Sequence, residues 1–99
     1  MQPHIVLKPS QNVGTTVSTT ATSLPTPATD VMGAIITIET DDVRMRFDGT
    51  DPVSGGSDGS TPMKKDSVWE ITGRDFVAAM RFVRVTSDAF VSAAYVKGE

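Results

Sequence analysis

Hydrophobic and polar side chains alternate with a period of two along several stretches of the chain, as they do in strands that bury one face. Residues 32–39 alternate in this way. Residues 43–48 alternate strictly, and their apolar face carries Val43, Met45 and Phe47. The two stretches predict half-buried strands that follow one another along the chain and are separated by a turn.

The second half of the chain predicts three more strands and one helical turn. Residues 68–72 alternate, with Trp69 on the apolar side, and residues 82–86 are β-branched and alternate as well. Residues 89–97 form the last predicted strand. Before residue 82, residues 73–78 predict a single helical turn, because the alternation that follows excludes a longer helix.

The last predicted strand is apolar on both faces. Alternation places Val91, Ala93 and Tyr95 on one face, and Phe90 and Val96 on the other. Only one of these faces is needed for the core. Exposed apolar residues on a strand commonly mark a docking surface or a second core layer, so Phe90 and Val96 are predicted contact residues.

The beginning of the chain differs in composition from the rest. Residues 1–29 have no charged side chain after Lys8 and are rich in Ser and Thr. Val13 and Val17 lie among threonines and favour an ordered strand, because β-branched side chains pack well on a pleated sheet. We predict an N-terminal arm or edge strand over residues 1–29 and a β-sandwich core over residues 30–99.

A stretch rich in glycine and proline, residues 49–62, cannot propagate a strand ladder. It predicts a long, mobile loop, since long loops in small domains tend to be functional or mobile.

About six to eight short strands with turns between them, and no sustained helical period, predict an all-β fold. We expect a small antiparallel β-sandwich of the jelly-roll or immunoglobulin-like type.

Composition and charge narrow the possible partners. Nine Lys and Arg residues against twelve Asp and Glu residues give a net charge of −3, so the chain has no basic field for nucleic acid or an anionic membrane. The absence of cysteine excludes disulfides, thiolate nucleophiles and cysteine-based metal sites. No apolar run approaches the roughly 20 residues of a membrane helix, and no targeting segment is visible. A soluble protein without nucleic-acid or membrane partners is expected.

Residues with the potential for catalysis or metal binding are few. His4 is the only histidine, and a position so near the start of the sequence seldom has the rigid frame that a catalytic histidine needs. Asp48, Asp51 and Asp58 could offer oxygen ligands to a hard cation, but no twelve-residue loop with a closing Glu surrounds them. Asp in such loops more often serves turn geometry. We predict no enzymatic activity, no metal and no cofactor.

Two aromatic residues allow a choice between sugar binding and core packing. Trp69 and Tyr95 could stack on a glycan, but the alternation assigns both to the core, where they would supply large buried area.

Arginines recur beside apolar positions on two predicted strands, at Arg44, Arg46, Arg81 and Arg84. Arginine is favoured at protein interfaces because its planar fork binds carboxylates in a bidentate manner. A solvated strand face is the alternative explanation.

Three motifs follow one another within residues 32–97. They are Arg46-Phe47-Asp48-Gly49-Thr50-Asp51-Pro52, Met80-Arg81-Phe82-Val83-Arg84 and Ala93-Ala94-Tyr95-Val96-Lys97. In this order, with the strand Val68-Trp69-Glu70-Ile71 between the first two, they resemble a group of small virion proteins of tailed bacteriophages. The resemblance implies a β-sandwich without enzymatic activity that assembles in many copies on the phage particle.

The residues and the resemblance together predict a capsid decoration (cement) protein located on the virion. Its expected partners are further copies of itself and the major capsid protein or other virion proteins, with the N-terminal arm pairing with a neighbour as a strand. The predicted interface residues are Val13, Val17, Arg44, Arg46, Phe90 and Val96. A head–tail connector or tail component, and a glycan-binding module of a host-recognition fibre, are the alternatives.

Overall fold

Eight β-strands and one short helix make up residues 7–98, the part of the chain that the computed structural model describes. The elements in chain order are β1 Leu7–Val17, β2 Thr22–Ser23, β3 Val31–Glu39, β4 Val43–Arg46, β5 Thr61–Met63, β6 Val68–Thr72, α1 Arg74–Ala79, β7 Arg81–Arg84 and β8 Ala89–Gly98. Residues 1–6 of the predicted arm, which include His4, lie outside the described residues.

The strands form two four-stranded antiparallel sheets. The first sheet has the order β1-β8-β3-β6, and the second has the order β2-β7-β4-β5. Strands from the two ends of the series therefore pair with each other: β1 with β8, β2 with β7, β3 with β6 and β4 with β5. An antiparallel ribbon rolled up on itself produces this order, which is that of a jelly roll. The predicted all-β sandwich is confirmed, with the first of the two predicted topologies.

One core lies between the two sheets. In β3 the alternating residues Ala34, Ile36 and Ile38 are buried, as the sequence predicts. Tyr95 of β8 lies opposite Ala34 in the register and is also buried. Phe82 of the second sheet is fully buried and belongs to the same cluster. Removing these apolar surfaces from water is the main favourable contribution to folding.

The threonine-rich beginning of the chain is part of the first sheet. β1 pairs with β8 from Leu7 to Val17, with one irregularity between Pro9 and Gln11. Of the two predicted alternatives, an arm or an edge strand, residues 7–17 adopt the edge strand. β2 continues into the second sheet by pairing with β7. Residues 7–29 therefore contribute to both layers of the sandwich.

Helix α1 is a short element between β6 and β7. It covers residues 74–79, close to the predicted helical turn, and it ends before Met80. The excluded longer helix is indeed absent from the described residues, because the next residues join the second sheet as β7. Val77 and Met80 are buried, so the helix closes one part of the core.

Three predicted boundaries were wrong, and one of them is the end of β7, which stops at Arg84 and not at residue 86. Phe47 was expected on the buried face of a strand through residue 48, but β4 ends at Arg46 and Phe47 is 48% exposed. Its ring stacks on that of Phe76 with centroids 4.2 Å apart, so the aromatic pair gives it a partner outside the core. The predicted loop over residues 49–62 ends two residues early, because Thr61 begins β5 and pairs with β4.

Candidate interaction surface

The outward face of the first sheet carries several exposed apolar side chains, and it is termed the open face. Ile35 is 41% exposed, Phe90 is 39% exposed and Val68 is 62% exposed. The residues that point outward include Asn12, Gly14, Thr16, Ile35, Thr37, Glu39, Val68, Glu70, Thr72, Phe90, Ser92, Ala94 and Val96. Contiguous exposed apolar patches on a protein surface commonly mark sites of association.

Two shallow depressions flank Ile35 on the open face. One has a volume of about 450 Å³, with Phe90 and Ile35 as its bulky walls and Gly14 and Ala94 among its small lining residues. The other, of about 270 Å³, lies towards Val96 and β6. Small residues between larger ones contribute to this relief. The open face can therefore accept protruding side chains of a partner.

The Phe90 ring extends over Gly14 of the neighbouring strand β1. A Cβ atom added at Gly14 would be 2.4 Å from Phe90 Cζ, so the ring occupies the space that a side chain would fill. An aromatic ring across a strand glycine covers backbone that would otherwise be exposed. Phe90 therefore contacts β1 and is still 39% exposed.

The charged side chains on the open face are acidic. Glu39 and Glu70 both point outward and are exposed, and no Lys or Arg lies among the outward residues described above. The Ser92 hydroxyl donates a hydrogen bond to the Glu39 carboxylate, which fixes that carboxylate at the margin of the larger depression. An apolar partner with basic side chains at its margin would complement this surface.

The outward face of the second sheet is different, because the chain itself covers it. The connection from β4 to β5, residues 47–60, is termed the long loop. Val83 faces outward beside Arg44 in the register, yet it is only 2% exposed and lies outside the core cluster. Pro52 of the long loop is buried, and the Ser54 hydroxyl donates to the carbonyl of Val85. The long loop therefore lies across this face.

Arg44 anchors one end of the long loop. Its Nε donates to the hydroxyl of Ser60 at 2.7 Å, and its Nη2 donates to the carbonyl of the same residue at 2.8 Å. The guanidinium also packs against Gly56, where an added Cβ would be 3.0 Å from Arg44 Cζ. Arg44 is half-buried and holds these intramolecular partners, and its role in an interface stays a prediction.

Arg46 and two carboxylates hold the rest of the long loop. Arg46 pairs with Asp48 and donates to the carbonyl of Asp58 at 2.7 Å. The hydrogen bond from Arg46 lowers the pKa of Asp48 to about 2. The pKa of Asp58 is lowered chiefly because its carboxylate accepts a hydrogen bond from the Ser60 hydroxyl. Arg46 therefore acts within the molecule, like Arg44.

The remaining strand arginines are also paired with nearby carboxylates. Arg81 contacts Asp51 at 2.5 Å, which ties the long loop to β7, and Arg84 contacts Asp88 at 2.6 Å. Within residues 7–98, no group of three or more carboxylate or histidine side chains is arranged to hold a metal ion. The carboxylate oxygens of Asp58 instead accept bonds from the backbone and from Ser60.

Trp69 and Tyr95 do not form an exposed platform for a sugar ring. Tyr95 is 1% exposed, and its hydroxyl donates to the carbonyl of Pro25. Trp69 is half-buried against the core, and its Nε1 donates to the hydroxyl of Ser67 at 2.8 Å. Both rings pack where the alternation predicts.

The predicted interface residues are therefore distributed over three environments. Phe90 is exposed and Val96 is half-buried on the open face, whereas Arg44 and Arg46 hold the long loop. Val13 is half-buried against the core, and Val17 is fully buried, so the side chain of Val17 offers no surface to a partner. The alternation in β3 also places Ile35 outward. Ile35 was not among the predicted interface residues, because a single isoleucine does not show which face of a strand contacts a partner.

Comparison with known proteins gives no match. No protein-family model, no curated protein and no solved structure is similar to this chain. In the described part of the chain, no helix is long and apolar enough to cross a membrane. Function is therefore inferred from the chain's own residues.

Proposed function

We propose that this protein is a non-enzymatic structural protein of a tailed-bacteriophage virion, and specifically a capsid decoration protein that attaches to the shell through its open face. Jelly rolls are common in viral capsid domains, although they also occur in lectins and cupins, so the fold alone does not assign the role. The sequence resemblance supports the phage virion among these settings.

The observation that carries the proposal is the difference between the two outward faces. On the second sheet, Val83 is covered by the long loop, which Arg44 and Arg46 hold in place. On the first sheet, Ile35 and Phe90 remain exposed. A small sandwich that covers one face with its own chain and leaves the other apolar is suited to attachment by that second face.

Copy number in purified particles tests the role directly. Quantitative mass spectrometry of intact virions is expected to give hundreds of copies per particle, as for a protein that covers the shell. A ring of about a dozen copies would instead identify the head–tail connector or tail component that is the alternative. Absence of the chain from purified particles would contradict both assignments.

A pair of matched variants tests the surface. Ile35→Lys introduces a cation at the centre of the open face, whereas Val53→Lys introduces the same group at an aliphatic residue of the long loop that is 53% exposed. We expect Ile35→Lys to reduce occupancy on shells that lack the native protein, and Val53→Lys to leave it unchanged. Equal occupancy of the two variants would remove the open face from the proposal.

A further inference from the structure

The first sheet has one long edge that is unprotected over most of its length. β1 runs for eleven residues along this edge. The other three edge strands are short: β2 has two residues, β5 has three and contains a proline, and β6 has five and carries Glu70. Short strands, prolines and charges are the devices by which sheet edges avoid pairing with other chains.

Such protection on β1 is confined to its beginning. Lys8, Pro9 and the irregularity before Gln11 lie in the first part of the strand. Residues 11–17 contain no charge and no proline, and their register with β8 is regular. No backbone hydrogen bond joins these seven residues to any described segment other than β8. The outer edge of residues 11–17 is thus available to another strand.

We propose that two copies of this chain pair through residues 11–17 of β1, antiparallel about a two-fold axis near Gly14, so that their first sheets form one continuous eight-stranded sheet. The occupant of the edge is a second copy because every copy presents the same uncharged edge, and antiparallel pairing of identical strands satisfies both edges with one symmetric contact. This inference goes beyond the proposed function and does not depend on what the open face binds.

Two consequences favour a register centred on Gly14. It pairs all seven residues of the unprotected edge with each other, and directly opposite residues then point to the same side of the sheet. It also brings together the two Phe90 rings, since each ring lies over Gly14 of its own chain. The side chain that the monomer leaves 39% exposed thereby gains an aromatic neighbour across the seam.

Purified protein at several concentrations tests the pairing, with the mass measured by sedimentation equilibrium. We expect a reversible species with twice the 10.5 kDa mass of the chain. In the double variant Asn12→Lys/Thr16→Lys, the pairing sets ammonium groups opposite each other twice, and the dissociation constant is expected to rise about tenfold. Both original side chains are exposed in the single chain, so the fold tolerates the change.

Two controls separate pairing from other effects of charge. Thr26→Lys/Thr29→Lys changes the net charge equally at exposed positions outside both sheets, and its dissociation constant is expected to equal that of the wild type. Mixing the first double variant with Asn12→Glu/Thr16→Glu copies is expected to restore a heterodimer by charge complementarity. A monomer at every concentration, a dimer that the lysines do not weaken, or a mixture that stays monomeric would overturn the proposal.

Cross-linking tests the register itself, because the chain contains no cysteine. Oxidation of an equal mixture of Asn12→Cys and Thr16→Cys copies is expected to give the mixed disulfide, whereas an equal mixture of Thr26→Cys and Thr29→Cys copies is not. Lack of preference between these mixtures would contradict the pairing. These measurements use the purified chain alone, so their failure would leave the proposed location on the virion unaffected.

Discussion

Replacing Tyr95 by Phe tests how the core is joined to the connection between the sheets. The Tyr95 ring is 1% exposed, and its hydroxyl donates to the carbonyl of Pro25, which lies between β2 and β3. Tyr95→Phe keeps the ring and removes only this hydrogen bond, whose net contribution is about 1 kcal/mol. For a domain of this size, a loss of about 1 kcal/mol lowers the Tm by roughly 4–8 °C.

Thermal and urea unfolding, followed by the fluorescence of the single tryptophan, measure the loss. Ser54→Ala is the matched control, because it removes a hydroxyl that also donates to a backbone carbonyl but lies at the surface. Its cost is expected to stay within about 0.5 kcal/mol. Equal stability of Tyr95→Phe and the wild type would refute the idea that this bond joins the core to the connection.

The same residue makes stability sensitive to alkaline pH. Burial raises the pKa of Tyr95 above its ordinary value of 10.0, because the folded core disfavours the phenolate. Above pH 10.0 the unfolded chain binds fewer protons than the folded one, so the free energy of unfolding falls as the pH rises, whereas below this pH the full stability is present. Tyr95→Phe is expected to show a shallower alkaline decline than the wild type. Tyrosinate absorbance that develops in the folded chain at the ordinary pKa would contradict this.

Three further predictions concern the core, the long loop and the open face. Phe82→Ala, at a fully buried position, is expected to lower the free energy of unfolding by about 3–5 kcal/mol in urea denaturation, and a cost below that range would mean that the core collapses around the cavity. Asp58→Asn is expected to speed amide exchange in the long loop. In the wild type, protection of this loop is expected at pH values above the ordinary carboxyl pKa of 3.8 and to be lost as the pH falls towards about 2, where Asp48 is protonated. Unchanged exchange in either case would show that the carboxylates do not hold the loop. Gly14→Ala is expected to destabilise the protein because the new Cβ meets the Phe90 ring, and the cost should disappear in a Phe90→Ala background in a double-mutant cycle.

The strands and their inward faces were predictable because they depend on local alternation. Residues 32–39 and 89–97 match β3 and β8 closely, with Ala34 and Tyr95 buried as expected. The same rule failed at Phe47, where the strand ends before the pattern does. Alternation records which side of a strand is apolar, but the length of a strand depends on whether a neighbour continues beside it.

The roles of the surface residues were less predictable. Arg44 and Arg46 have the pattern of an exposed strand face, and nothing local indicates that Ser60 and Asp58 fold back to meet them. Val17 has the neighbours of an exposed threonine-rich strand, yet it is fully buried. In each case the deciding partner is distant in the sequence.

By itself, the sequence determined that the chain forms flat strands, which side of most strands is apolar, and that it carries no net positive charge or cysteine. Those properties follow from side-chain chemistry and from the two-residue repeat of an extended backbone. Only the tertiary structure decided that β1 lies at an edge, that the long loop covers the second sheet, and that Ile35 and Phe90 remain uncovered. Coverage and edge position depend on which strands become neighbours, and that pairing is fixed by the whole chain at once.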